Sequence, residues 1–144
     1  MPVWAGQIIT AGQINRIQPI PYSAVGSGTL TGPQTNADVV GATVTLTTLR
    51  AGATYKAWCV WDVNVTAAAT GTWLGRMALG GVGQSPLATM SHPTSGGRST
   101  PTQTYHGTLA TAGTYTFKLI ASPLTSQVVQ GVNCSILVEI TEVV

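Results

Sequence analysis

Apolar and polar residues follow two different rhythms along this chain. From about residue 42 onward they alternate, the period of two that marks half-buried strands. The runs are "ATVTLTTL" (42–49), "ATYKAWCVWDVNVT" (53–66), "TWLGRMALGG" (72–81), "TQTYHGTL" (102–109), "TYTFKLIAS" (114–122) and "VNCSILVEITEV" (132–143). A small-residue turn, "AAATG", separates the second and third, and the polar, Pro/Gly-rich "GQSPLATMSHPTSGGRSTP" (83–101) reads as a long loop. Short strands punctuated by turns, with no helical stretch between them, predict an all-β fold: an antiparallel β-sandwich or jelly-roll-like domain.

The opening residues keep a different period. Thr10 with Gln13 three residues later fits a capping box, Ile14 and Ile17 share a helical face, and Pro19 stops the helix. A helix this short, with Gly12 inside it, does not hold together alone in water. Ile8, Ile9, Ile14, Ile17 and Ile20 therefore need a surface to pack on. The following "PYSAVGSGTLTGPQTN" (21–36) reads as an extended connector. The predicted organisation is a short helical or extended arm with its connector over 1–35 and a β-sandwich domain over 36–144.

Alternation also assigns faces. Tyr55, Ala57, Cys59, Trp61 and Val63 point one way, matched by Tyr115, Phe117, Leu119 and Ala121 and by Cys134, Ile136, Val138 and Ile140, which predicts the sandwich core. The opposite face carries Trp58, Val60, Ile120 and Leu137 beside Lys56, Asp62, Lys118 and Glu139. Large apolar groups on an outer face need a cover. Self-association through Trp58, Val60, Ile120 and Leu137, as a homotrimer about an axis near these strands, is the expected one. The alternative lays the 83–101 loop over Trp58 and Leu137. A further regularity is an internal echo: "TLRAGATYKAW" and "TLATAGTYTFK" share the order strand end, Gly-containing turn, Thr-Tyr, strand, and place Gly52 and Gly113 at equivalent corners.

Composition narrows the function. In 144 residues, enough for one domain with a real core, only 7% are charged and 44% are apolar. Arg16, Arg50, Lys56, Arg76, Arg98 and Lys118 are scattered, so the net charge of +2 forms no basic patch and nucleic acid is not an expected partner. No apolar run approaches the roughly 18 residues of a spanning helix, and no Lys or Arg precedes an apolar stretch at the N-terminus, so neither membrane nor secretory signal is expected. Cys59 and Cys134 allow one disulfide, but their mid-strand positions on an apolar face favour buried thiols.

Catalytic equipment is sparse. The four carboxylates are Asp38, Asp62, Glu139 and Glu142; Asp62 and Glu139 could be neighbours across strands, but charged residues on an outer face are usually solvated rather than paired as acid and base. His92 and His106 have no partner in sequence to orient them, and no GxSxG elbow, phosphate loop or metal-ligand spacing occurs. No enzyme activity, cofactor or metal is expected. The Asn64-Val65-Thr66 and Asn133-Cys134-Ser135 sequons are what a chain rich in Thr and Ser produces by chance. Trp61 belongs to the core by alternation, whereas Trp58 and Trp73 are candidates for the outer face, where sugar stacking is the functional rival to an interface.

Two stretches resemble a known group. "WAGQIITAGQINRIQP" resembles the N-terminal segment of virion proteins from tailed phages of actinobacteria, in which an aromatic and a Gly precede "ITA", two residues and a short amphipathic "LN" stretch; here "QIN" stands in place of Leu-Asn. "AGTYTFKLIAS" with "NCSILVEITEV" is similar to the closing strands of phage fibre-tip and head-decoration sandwiches. The resemblance implies a minor structural protein of the virion, assembled in the host cytoplasm. Its partners would be copies of itself and the major capsid protein or a tail protein of the same particle. Trp4, Ile9, Ile14 and Ile17 would anchor the arm. Capsid decoration or a head fibre is the first expectation, and a tail-fibre or receptor-binding tip recognising cell-surface glycan is the alternative.

Overall fold

In the computed structural model, which describes residues 10–68, 71–91 and 96–142, the arm holds one helix, α1 (Ala11–Ile17). The strands that follow are β1 (Ile20–Val25), β2 (Thr29–Thr31), β3 (Ala37–Thr48), β4 (Ala53–Val60), β5 (Val63–Val65), β6 (Thr72–Leu79) and β7 (Val82–Gly83). After them come β8 (Ala88–Ser91), β9 (Arg98–Ser99), β10 (Thr102–Leu109), β11 (Gly113–Ser122), β12 (Gln127–Gln130) and, past a 3-10 turn at Gly131–Asn133, β13 (Ser135–Thr141).

All pairings are antiparallel and build three sheets. The first has the order β1-β13-β4-β10; the second has β3-β11-β6-β7, with β8 also on β6; the third has β2-β12-β5-β9. Among the principal strands, every connection except β6 to β8 crosses between the first and second sheets, which is the winding of a jelly roll. Four of these crossings leave from one end and lay down β2, β5, β9 and β12. Those short strands pair with one another in the order of their parents, so the third sheet closes that end of the sandwich. The two crossings at the other end, β3 to β4 and β10 to β11, are tight turns. Gly52 and Gly113 hold positive φ there (86° and 148°), and Gly52 N–H donates to Leu109 O at 2.8 Å. The internal echo is thus a pair of neighbouring corners.

The core follows the alternation. Tyr55, Ala57 and Cys59 of β4 and Ile136, Val138 and Ile140 of β13 are buried against Val44, Leu46, Met77, Phe117 and Leu119 of the second sheet. Tyr55 and Phe117 meet edge to face across the layers, ring centroids 5.2 Å apart.

Three expectations need correction. The stretch 21–36 is not a connector, because β1 and β2 lie in it; Tyr22 and Ala24 of β1 turn onto the core, and Pro21 is tolerated because β1 is an edge strand. The boundary at 35/36 therefore falls inside the sandwich, and the arm proper stops before Ile20. The run 53–66 is two strands, broken at Trp61 and Asp62 where the chain passes from the first sheet to the third. The 83–101 loop contains β8 and β9, which run along β6 and β5.

Candidate functional site

Among the described residues, two surfaces carry exposed apolar groups where the sequence placed candidate anchors and interface residues. The first is on α1. Thr10 stands at its start and its carbonyl accepts from Ile14 N–H at 3.1 Å. The spacing of three puts Ile14 and Ile17 on one side, where they are 43% and 50% exposed, and Ile20 at the start of β1 is 39% exposed. Trp4 and Ile9, the other two predicted anchors, lie with Ile8 outside the described residues.

The second surface is the outward side of the first sheet, whose rows are set by strand register. Ser23, Leu137, Trp58 and Thr104 form one row across β1, β13, β4 and β10. Pro21, Glu139, Lys56 and His106 form the row on one side of it, and Val25, Ser135, Val60 and Thr102 the row on the other. Trp58 is 38% exposed, Leu137 and Val60 are half-buried, and Val25 is exposed. Three of the four predicted interface residues therefore stand together.

Ile120 does not join them. It lies on the outward side of the second sheet, opposite Arg76 in β6, and is buried. Its strand alternates as β4 does, but it belongs to the other layer. Trp73 is also not an outer residue: it is fully buried in β6 and packs against Trp61. A cover over Trp58 and Leu137 by the 83–101 segment is not formed by its described part, since β8 pairs with β6 and β9 with β5.

The arm leaves from the end opposite the third sheet. Ile20 pairs with Ile140, which pairs with Tyr55, just past the β3–β4 turn. Glu142 sits at the same end and accepts a hydrogen bond from Leu49 N–H at 2.8 Å. Leu49 of that turn and Val82 of the β6–β7 hairpin are exposed aliphatic tips.

The closed end is held by a polar clamp. Asp62 is buried; its carboxylate accepts from Arg98 Nε at 2.8 Å, from Arg98 Nη2 and from Asn133 Nδ2 at 2.7 Å. The hydrogen bond from Arg98 is the main reason its carboxyl is held below the usual range, against the opposing pull of burial. Asp62 N–H also points at Cys134 Sγ, 3.4 Å away. Asp62 is thus occupied structurally. Glu139 stands opposite Lys56 in the first sheet, and Asp62 lies past the end of β4 with Arg98 and Asn133, so strand pairing does not make Asp62 and Glu139 neighbours. Neither Arg98 nor Asn133 could be assigned to Asp62 beforehand, since they are 36 and 71 residues away along the chain. The Asn133 sequon has its amide engaged in this clamp.

Cys59 and Cys134 are free, buried thiols, and burial pushes Cys59 up to about 12. His106 is exposed on the outward face beside Lys56; His92 lies outside the described residues. Among the described residues no three of His, Cys, Asp and Glu gather closely enough to hold a metal ion, and no helix is long and apolar enough to cross a membrane. No family model matches the chain, and no curated protein matches it.

Proposed function

We propose that this protein is a non-enzymatic structural component of a tailed-phage particle, a capsid decoration or head-fibre protein. It is held by its N-terminal arm and associates with copies of itself through the outward face of the first sheet. The observation that carries the reading is the exposure of Ile14 and Ile17 on the arm, and of Ile20 where it joins β1, at one end of a jelly roll whose other end is closed by strands and a polar clamp. Burying the still-exposed part of these side chains contributes about 0.7–1.5 kcal/mol each. That offsets the several kcal/mol of ordering the arm, and several copies on one lattice add avidity. The sequence resemblance supplies the particle: the arm's partner is the major capsid protein or a tail protein, and the place of the protein is the virion.

Removing residues 1–18 tests this, because the cut spares β1. The truncated chain is expected to fold and to be absent from assembled particles. Its incorporation at the normal level overturns the arm.

A second reading, a receptor-binding tip for surface glycan, is favoured by one feature. A shallow cleft of about 230 Å³ runs along Lys56, Trp58, Thr104 and His106, which offers an indole face beside polar groups. Glycan-array binding by the wild-type chain that Trp58→Ala abolishes would put this reading first.

A further inference from the structure

We infer that two copies of this chain pack face to face through the outward side of the first sheet, about a two-fold axis running along the strands between β13 and β4. The inference deepens the self-association proposed above and does not depend on what the arm docks on. Across the face the strand order is β1, β13, β4, β10. A half-turn about the line between β13 and β4 exchanges β4 with β13 and β10 with β1, and leaves each row at its own height. Trp58 then lies over the partner's Leu137, and Lys56 lies over the partner's Glu139, each contact occurring twice.

The register selects this axis over its rivals. A two-fold axis across the strands at the Trp58 row would place Lys56 over the partner's Val60 and Glu139 over the partner's Ser135, so both charges would leave water with only each other and no opposite charge on the facing copy. A three-fold ring presses each face against a different surface of its neighbour, which leaves the match of this face to itself unused. The two-fold pairing therefore replaces the trimer expected from composition and alternation.

Size sets the strength. Four strands about 4.8 Å apart and six to eight residues long at about 3.4 Å each present roughly 450–500 Å² per copy, so just under about 1,000 Å² in total, below the roughly 1,200 Å² at which stable interfaces begin. Stacked sheets cross at about 30°, which concentrates contact on the central strands, where Trp58, Leu137, Lys56 and Glu139 stand. The expected species is a dimer that dissociates on dilution.

Sedimentation of the full chain in buffer, without particles, tests the pairing. The wild type is expected at twice the chain mass of 14.8 kDa when concentrated. Lys56→Glu and Glu139→Lys each place like charges together twice per dimer and are expected to weaken it roughly tenfold or more. An equimolar mixture of the two variants is expected to dimerise again, since in the mixed pair every charge meets its opposite. Mixing leaves the neighbouring positions 56 and 139 within each chain unchanged, so recovery reports contact between copies. A wild-type monomer at the highest soluble concentration, a trimer mass, or no recovery on mixing overturns the inference. None of these outcomes bears on arm docking, which the truncation tests separately.

Discussion

Trp73 of β6 meets Trp61, just past the end of β4, edge to face, with ring centroids 5.9 Å apart and planes inclined at 67°. Both indoles are fully buried and join the first and second sheets near the closed end. Gly75 makes the space: a Cβ there would overlap the Trp73 ring and come within 3.0 Å of Trp61. Trp73→Ala is expected to cost about 3–5 kcal/mol through the cavity it leaves, and Gly75→Ala about 1–3 kcal/mol through overpacking. Urea unfolding followed by far-ultraviolet circular dichroism measures both. A loss under about 1 kcal/mol for Trp73→Ala is incompatible with this core.

The Asp62 clamp makes the closed end sensitive to acid. The carboxyl is depressed in the folded chain, chiefly by the hydrogen bond from Arg98, whereas in the unfolded chain it titrates near about 3.9. Between the two values the unfolded state binds more protons, so stability rises with pH there. The contribution is complete above the unfolded value and is lost as pH falls through the folded one. Asp62→Ala is expected to cost about 1–3 kcal/mol at neutral pH. The gap between variant and wild type should then close below about pH 4. Thermal melts across pH 2–7 check it, and a constant gap contradicts it.

Both thiols are expected to resist modification in the folded state. Burial raises Cys59 to about 12 and also raises Cys134, so little thiolate exists at neutral pH and none is accessible. A thiol reagent such as dithionitrobenzoate should label neither residue until denaturant is added, whereupon both react. Rapid labelling of the native chain would mean that the first sheet opens locally.

The arm separates stability from attachment. Ile14 and Ile17 are about half-exposed, so Ile14→Asp and Ile17→Asp are expected to change folding stability by no more than about 0.5 kcal/mol. The same substitutions should lower the copy number in assembled particles, measured by mass spectrometry of purified virions. A large fall in melting temperature would show that the arm packs on its own sandwich instead.

Alternation read along the chain was enough to foresee the strands that face one layer and end at turn residues. β10 spans Thr102–Leu109, the predicted run, and β6 and β11 differ from theirs by a residue or two at the ends. The inward set of β4 and β13 was legible for the same reason: a strand at an apolar–water boundary writes that boundary into every second residue. β1 and β12 escaped because their hydrogen-bonding partners are distant or short; Tyr22 pairs with Val138 across most of the chain, and nothing local announces it. Ile120 was misplaced because alternation separates two sides of a strand without naming the layer to which the strand belongs. Trp73 was misplaced because both sides of β6 carry apolar residues, Trp73 and Met77 on one and Leu74 and Ala78 on the other, so alternation does not say which side is the core. That Trp58 stands opposite Leu137 and Lys56 opposite Glu139 depends on register. Register is a relation between segments that meet only when the sheets close, and it comes from long-range hydrogen bonding and packing, which no stretch of residues contains alone.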